Sequence, residues 1–126
     1  MRPLTARRAD GWIVGPPPAR TPAVRLFCLP YVGGAASVYE PWRGALGDAV
    51  EVCPVELPGH QTRLREPAFT HVDALVDALA SALVDELDVP YALFGHSLGS
   101  LVAFELAREL RRRGADEPVA LLVSGG

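Results

Sequence analysis

The chain has 126 residues, of which 49% are hydrophobic and 21% charged, the balance of a folded globular protein of single-domain size. A formal charge of -3 argues against attraction to phosphate backbones or anionic lipid, so neither nucleic acid nor a membrane is an expected partner. No apolar run reaches the ~18 residues of a membrane span and no signal-peptide core is present near the start, so a cytoplasmic location is expected.

Residues 1–23 are rich in Arg, Pro and Ala and show no hydrophobic period. They read as an extended leader with Trp12 as a candidate anchor, followed by a folded unit over residues 24–126. Arg25 to Leu29 is a short apolar run that stops at Pro30, and Val50 to Val55 is a β-branched run that stops at Leu57-Pro58-Gly59. Tyr91 to Phe94 stops at Gly95, and Val119 to Val123 stops at Ser124-Gly125-Gly126. All four read as strands, and strands this apolar are typical of a parallel sheet covered on both faces. Cys28 and Cys53 lie inside two of these runs, with no CxxC pairing and no neighbouring histidine, which predicts buried reduced thiols and no metal site.

Helical patterns separate the strands. A short helix is expected from about Pro41, a residue suited to the first helical position, to about Gly47. Val72, Leu75, Val76, Leu79, Leu83, Val84 and Leu87 recur at helical spacing, with Thr70 and Asp73 as a capping box and an end before Pro90. A second long helix is predicted from Leu98 to Arg113, with Gly114 just past its end and three arginines facing the negative pole of its dipole. The alternation of strand and helix predicts a doubly wound α/β sheet with right-handed crossovers.

Gly95-His96-Ser97-Leu98-Gly99 matches G-x-S-x-G and falls between a predicted strand and a predicted helix, the context in which that motif presents a nucleophilic serine on a tight turn. Glycines at both ends allow strand and helix to approach closely. The helix opening at Leu98 points free N–H groups at the reaction centre, so the Leu98 N–H is one candidate donor to a tetrahedral oxyanion. The second donor in such sites comes from the loop after an earlier strand. Pro30-Tyr31-Val32-Gly33-Gly34 follows the first long strand directly, and the Val32 N–H is the candidate, with Gly33 and Gly34 letting the backbone turn. Read from residues alone, these features define a serine acyl-transfer enzyme and no more.

Four segments, Arg25 to Tyr39 (RLFCLPYVGGAASVY), Leu57 to Arg63 (LPGHQTR), Phe94 to Glu105 (FGHSLGSLVAFE) and Leu121 to Gly125 (LLVSG), together resemble the type II (external, editing) thioesterases that accompany nonribosomal peptide and polyketide synthases. The resemblance implies an α/β-hydrolase-type sheet. It further implies that Ser97 attacks an acyl thioester on the phosphopantetheine arm of an acyl or peptidyl carrier protein, that water releases the acid, and that no bound cofactor takes part. Gln61 departs from the family, which carries Gly in its LPG-x-G-x-R stretch, and Arg63 fits the family as a structural arginine.

The α/β-hydrolase order is serine, then acid, then histidine, yet no histidine follows Ser97. The acids after it are Glu105, Glu109, Asp116 and Glu117, none of which the resemblance marks as catalytic. His96 adjoins the nucleophile and cannot turn back onto it, His60 lies in a Pro-Gly turn, and His71 sits beside a helix cap. In the family the acid, the histidine and the lid come from later sequence. The expectation is therefore the N-terminal half of an α/β-hydrolase domain, inactive alone, whose last strand, Val119 to Val123, offers an uncovered edge for self-association.

Two rival readings stay open at this stage. Acyltransferases of the malonyl-transfer type share Gly-His-Ser-Leu-Gly, but continue with Glu where this chain has Ser100 and carry a GQG-like loop where it has Val32-Gly33-Gly34. A non-catalytic fragment that docks a carrier protein would also account for the absent acid and base.

Overall fold

The computed structural model describes residues 7–9, 11–15, 18–30, 35–58 and 71–125. Its centre is a four-stranded parallel sheet built from β3 (Val24–Leu29), β4 (Val50–Pro54), β5 (Tyr91–His96) and β6 (Ala120–Ser124), in the spatial order β4-β3-β5-β6. The register aligns Phe27 with Cys53 and Leu93, and Leu93 with Leu121. A parallel pair needs a crossover, which α1 (Val72–Leu83) provides ahead of β5 and α2 (Leu98–Arg112) provides between β5 and β6. The predicted α/β architecture is the one observed.

Period-two alternation along the strands makes two cores. Phe27, Leu29, Cys53, Val55, Tyr91 and Leu93 point to the face packed by Leu79, Leu83, Val102, Leu106 and Leu110 of α1 and α2. Leu26, Cys28, Val52 and Ala92 point to the other face, where Tyr39 and Trp42 cover them. Cys28 and Cys53 thus lie on opposite sides of the sheet, both free and buried, and burial pushes the Cys28 thiol up to about 12. Tyr39, Trp42 and Phe94 form an edge-to-face trio with centroids 4.9 to 5.9 Å apart, which covers Phe94 from that second face.

α2 follows its sequence pattern closely. It ends in a Schellman motif in which the Gly114 N–H bonds to Arg111 O and the Ala115 N–H to Leu110 O, each at 3.0 Å, with Gly114 at φ +77. α1 is shorter than its periodicity suggests, because its last turn tightens into the 3-10 segment Val84–Glu86 before Pro90. Its N-cap is His71, with Asp73 in the first turn, and Thr70 of the expected capping box lies outside the described residues.

Two expectations need correction. The short helix does not begin at Pro41. It is a 3-10 segment, Ala36–Trp42, with Pro41 inside it, and it gives way to turns before Gly47. The stretch before residue 24 is also more than an extended leader. β1 (Arg7–Arg8) and β2 (Ile13–Val14) pair antiparallel, Ile13 bridges to Val55, and Trp12 and Ile13 are buried in the main core. Strands of two residues are too short to show a period, so only the bulk of Trp12 marked the segment.

The sheet's two margins differ. At the β4 side Arg25 bonds Glu51 at 2.8 Å and also pairs with Asp88, tying β3, β4 and the turn before β5 together. At the β6 side Leu121, Leu122 and Val123 are 37%, 47% and 58% exposed in this chain. No helix among the described residues is long and apolar enough to cross a membrane.

Candidate active site

β5 runs into α2 through a single residue, Ser97, which has φ 57 and ψ -122. That backbone region strongly favours glycine, so a serine held there stores strain of about 1–3 kcal/mol. The surroundings enforce it. The Ser97 N–H bonds Ser124 O at 3.0 Å, while the Ser97 carbonyl accepts the Ser100 N–H at 2.9 Å and also the Ser100 hydroxyl. Ser97 is half-buried, at the C-terminal edge of the sheet and at the N-terminus of a helix of 15 residues.

The flanking glycines are steric necessities. A Cβ on Gly95 would lie 2.1 Å from Gly99 O, and a Cβ on Gly99 would lie 2.7 Å from both Leu29 O and Pro30 O. Backbone stands where side chains would be, so the strand, the helix and the end of β3 converge on one point. Leu98 occupies the first helical position, where the N–H has no partner within the helix. The positive end of the helix dipole lies at this N–H.

His96 does not serve Ser97. Its Nδ1 lies 3.0 Å from the Ser124 hydroxyl, which turns the ring toward β6. The acids after Ser97 are held elsewhere. Glu105 pairs with Arg108 at 3.3 Å, and Glu109 pairs with Arg112 at 2.6 Å and Arg113 at 2.7 Å. The Arg113 hydrogen bond holds the Glu109 carboxyl below its usual range. At about 1.5 Å per residue, Glu109 stands roughly 18 Å from Ser97 along the helix. Glu117 pairs with Arg111 at 3.5 Å, and the Asp116 carbonyl accepts the Tyr91 hydroxyl at 2.6 Å. His71 is exposed at the cap of α1.

Of the sequence-predicted site residues, Gly95, Ser97, Leu98 and Gly99 come together at this turn. Val32, Gly33 and Gly34, with His60, Gln61 and Arg63, lie outside the described residues. Two residues of the neighbourhood were not singled out by the motif: Ser100 and Ser124, which bracket the turn.

A parallel sheet with a strained serine between strand and helix is the architecture of the α/β-hydrolase class. The sequence profile of the thioesterase domain matches residues 24–126, and the chain belongs to that family. It is 42% identical over 115 residues to thioesterase PikA5 of Streptomyces venezuelae, covering 90% of this chain and 41% of that protein. It is 41% identical over 114 residues to linear gramicidin dehydrogenase LgrE of Brevibacillus parabrevis, covering 90% and 43%. The LgrE name does not carry over, because the strand–turn–helix of this chain holds Gly95-His96-Ser97-Leu98-Gly99 and not the G-x-G-x-x-G of a dinucleotide site. The solved type II thioesterase BorB of the borrelidin biosynthetic cluster superposes with a TM-score of 0.83 at 39% identity, covering 94% of this chain and 47% of that one. The type II thioesterases read from the sequence are thus its relatives, and the chain spans about half the length of the relatives it matches.

Proposed function

We propose that the enzyme carrying this chain is an editing thioesterase, which hydrolyses acyl groups from the phosphopantetheine thioesters of acyl and peptidyl carrier domains in the cytoplasm. The observation that carries the reading is the backbone of Ser97, φ 57 and ψ -122 at the head of α2, a strained conformation between strand and helix. Ser97 Oγ attacks the thioester carbonyl and loses its proton to a base, the carbonyl oxygen becomes an oxyanion, and the phosphopantetheine thiol leaves with a proton. Water then attacks the acyl-serine, releasing the acid and restoring the hydroxyl. The Leu98 N–H is the proposed donor to the oxyanion, and the Val32 N–H, from the Gly33-Gly34 loop, its proposed companion. No metal or redox group enters these steps. The base and its acid partner are assigned to no residue of this chain.

The test uses a completed enzyme, meaning this chain continued by a segment corresponding to the second half of its relatives. Ser97→Ala is expected to lower acyl-pantetheine hydrolysis by several orders of magnitude while leaving the fold intact. Retained turnover would remove Ser97 from the role. Release of free acid, rather than transfer of the acyl group to a second thiol, separates this reading from the acyltransferase one. The 126-residue chain alone is expected to turn over far more slowly than the completed enzyme.

A further inference from the structure

We propose that Ser100 is a positioning residue, whose hydroxyl aims and strengthens the Leu98 N–H through the peptide group that joins Ser97 to Leu98. The inference rests on the thioesterase reading and adds a residue to it. The Ser100 hydroxyl donates to the Ser97 carbonyl, which already accepts the Ser100 N–H at 2.9 Å. That carbonyl therefore has a partner without the hydroxyl, and the second bond goes beyond satisfying an acceptor. Serine is also a poorer helix former than alanine, so the first turn of α2 carries it at a small cost. Nothing in G-x-S-x-G specifies this residue, which follows the motif directly.

What the bond does follows from the geometry of a peptide. The Ser97 carbonyl and the Leu98 N–H belong to one planar trans unit and point in opposite directions, so whatever fixes the carbonyl also fixes the N–H. Ser97 sits at φ 57 and ψ -122, and the strain there can be released by turning this unit about ψ, which would swing the N–H with it. The peptide unit on the other side of Ser97 is pinned, because the Ser97 N–H bonds Ser124 O at 3.0 Å. The unit that carries the Leu98 N–H is held at its carbonyl by the two Ser100 bonds. A hydrogen bond to the carbonyl also polarises the amide and makes its N–H a stronger donor. Aim and donor strength count most when the substrate's carbonyl oxygen gains charge, so the effect belongs to the transition state.

In the completed enzyme, Ser100→Ala is expected to lower kcat by about 3- to 10-fold with KM changed by less than about twofold. A trifluoromethyl ketone bearing the substrate's acyl chain reports on the oxyanion directly: Ser97 Oγ bonds to its carbonyl carbon, the carbonyl electron pair moves onto oxygen, and the hydroxyl proton passes to the base. Its inhibition constant is expected to rise by the same factor as kcat falls. Ser100→Thr keeps the hydroxyl, which a helical threonine can turn onto a carbonyl three positions back, and is expected to recover most of both losses. Ser81→Ala is the control, since the Ser81 hydroxyl makes the same kind of bond, to Asp77 O at 3.1 Å, beside Arg113 at the far end of α2. It is expected to keep its kcat. A kcat within twofold of wild type in Ser100→Ala overturns the role of Ser100, as does a loss matched by Ser81→Ala, a loss carried in KM, a loss that Ser100→Thr does not recover, or an inhibition constant that stays put while kcat falls. Turnover that survives Ser97→Ala overturns the thioesterase reading and this inference with it, whereas an unchanged Ser100→Ala in an enzyme silenced by Ser97→Ala overturns the inference alone.

Discussion

The two ends of α2 both depend on a residue at positive φ, but they use it differently. At the C-terminal end Gly114 has φ +77 and nothing within 4 Å of where its Cβ would be, so glycine is there for its backbone freedom and the turn is relaxed. At the N-terminal end the positive φ falls on Ser97, while the glycines stand at Gly95 and Gly99, where backbone carbonyls exclude a side chain. One end stops a helix at little cost. The other stores strain in a serine and is clamped by Ser100 and Ser124.

Substitutions at the two ends sharpen the contrast. The largest effect on stability is expected for Gly95→Ala, because a Cβ 2.1 Å from Gly99 O can be relieved only by moving backbone, a loss of about 3 kcal/mol that a urea unfolding midpoint would register. A midpoint equal to wild type would show that strand and helix are not in forced contact. Ser97→Gly should move the other way, raising stability by about 1 kcal/mol as the strain is relieved, while hydrolysis by the completed enzyme is abolished. Ser97→Ala should lose activity without that gain, so equal midpoints for the two variants would count against stored strain. Gly114→Ala should cost about 1 kcal/mol, a purely conformational penalty with no effect on turnover.

The smallest effect is electrostatic, at the Arg113 end. Arg113 pairs with Asp77 of α1 at 2.5 Å and hydrogen-bonds Glu109, and that hydrogen bond holds the Glu109 carboxyl below its ordinary value. A carboxyl whose folded pKa is depressed contributes stability above its unfolded pKa and loses it as pH falls through the folded value. Glu109→Gln should therefore be slightly less stable than wild type at neutral pH, and the difference should vanish in acid. Thermal melts at neutral and strongly acidic pH would check the sign, and a constant gap would contradict it.

Much of this was legible in the sequence, for physical reasons that also mark where legibility stopped. Continuous apolar runs bounded by Pro and Gly gave the four sheet strands, and long three-four periodicity gave α1 and α2, because each pattern repeats often enough to stand out. Gly95-His96-Ser97-Leu98-Gly99 placed the elbow, since a turn that crowded admits few residue types. The hairpin around Trp12 has strands too short for a period, and Pro41 proved compatible with the end of a 3-10 segment as well as with a helix start. Glu56 stands out in sequence as a lone acid in an apolar run, but its hydrogen bond from the Ala36 backbone N–H stayed hidden, because no side-chain pattern announces a backbone donor.

The central claim is that Ser97 forms a covalent acyl-enzyme. It is tested most directly by mixing the completed enzyme with an acyl-pantetheine thioester, quenching in acid within the first turnover, and locating the added mass by peptide mass spectrometry. The account predicts an acyl group on the peptide containing Ser97, absent from Ser97→Gly and cleared with time as free acid appears. Turnover without any adduct on that peptide, or an acyl group trapped on another residue, would contradict it.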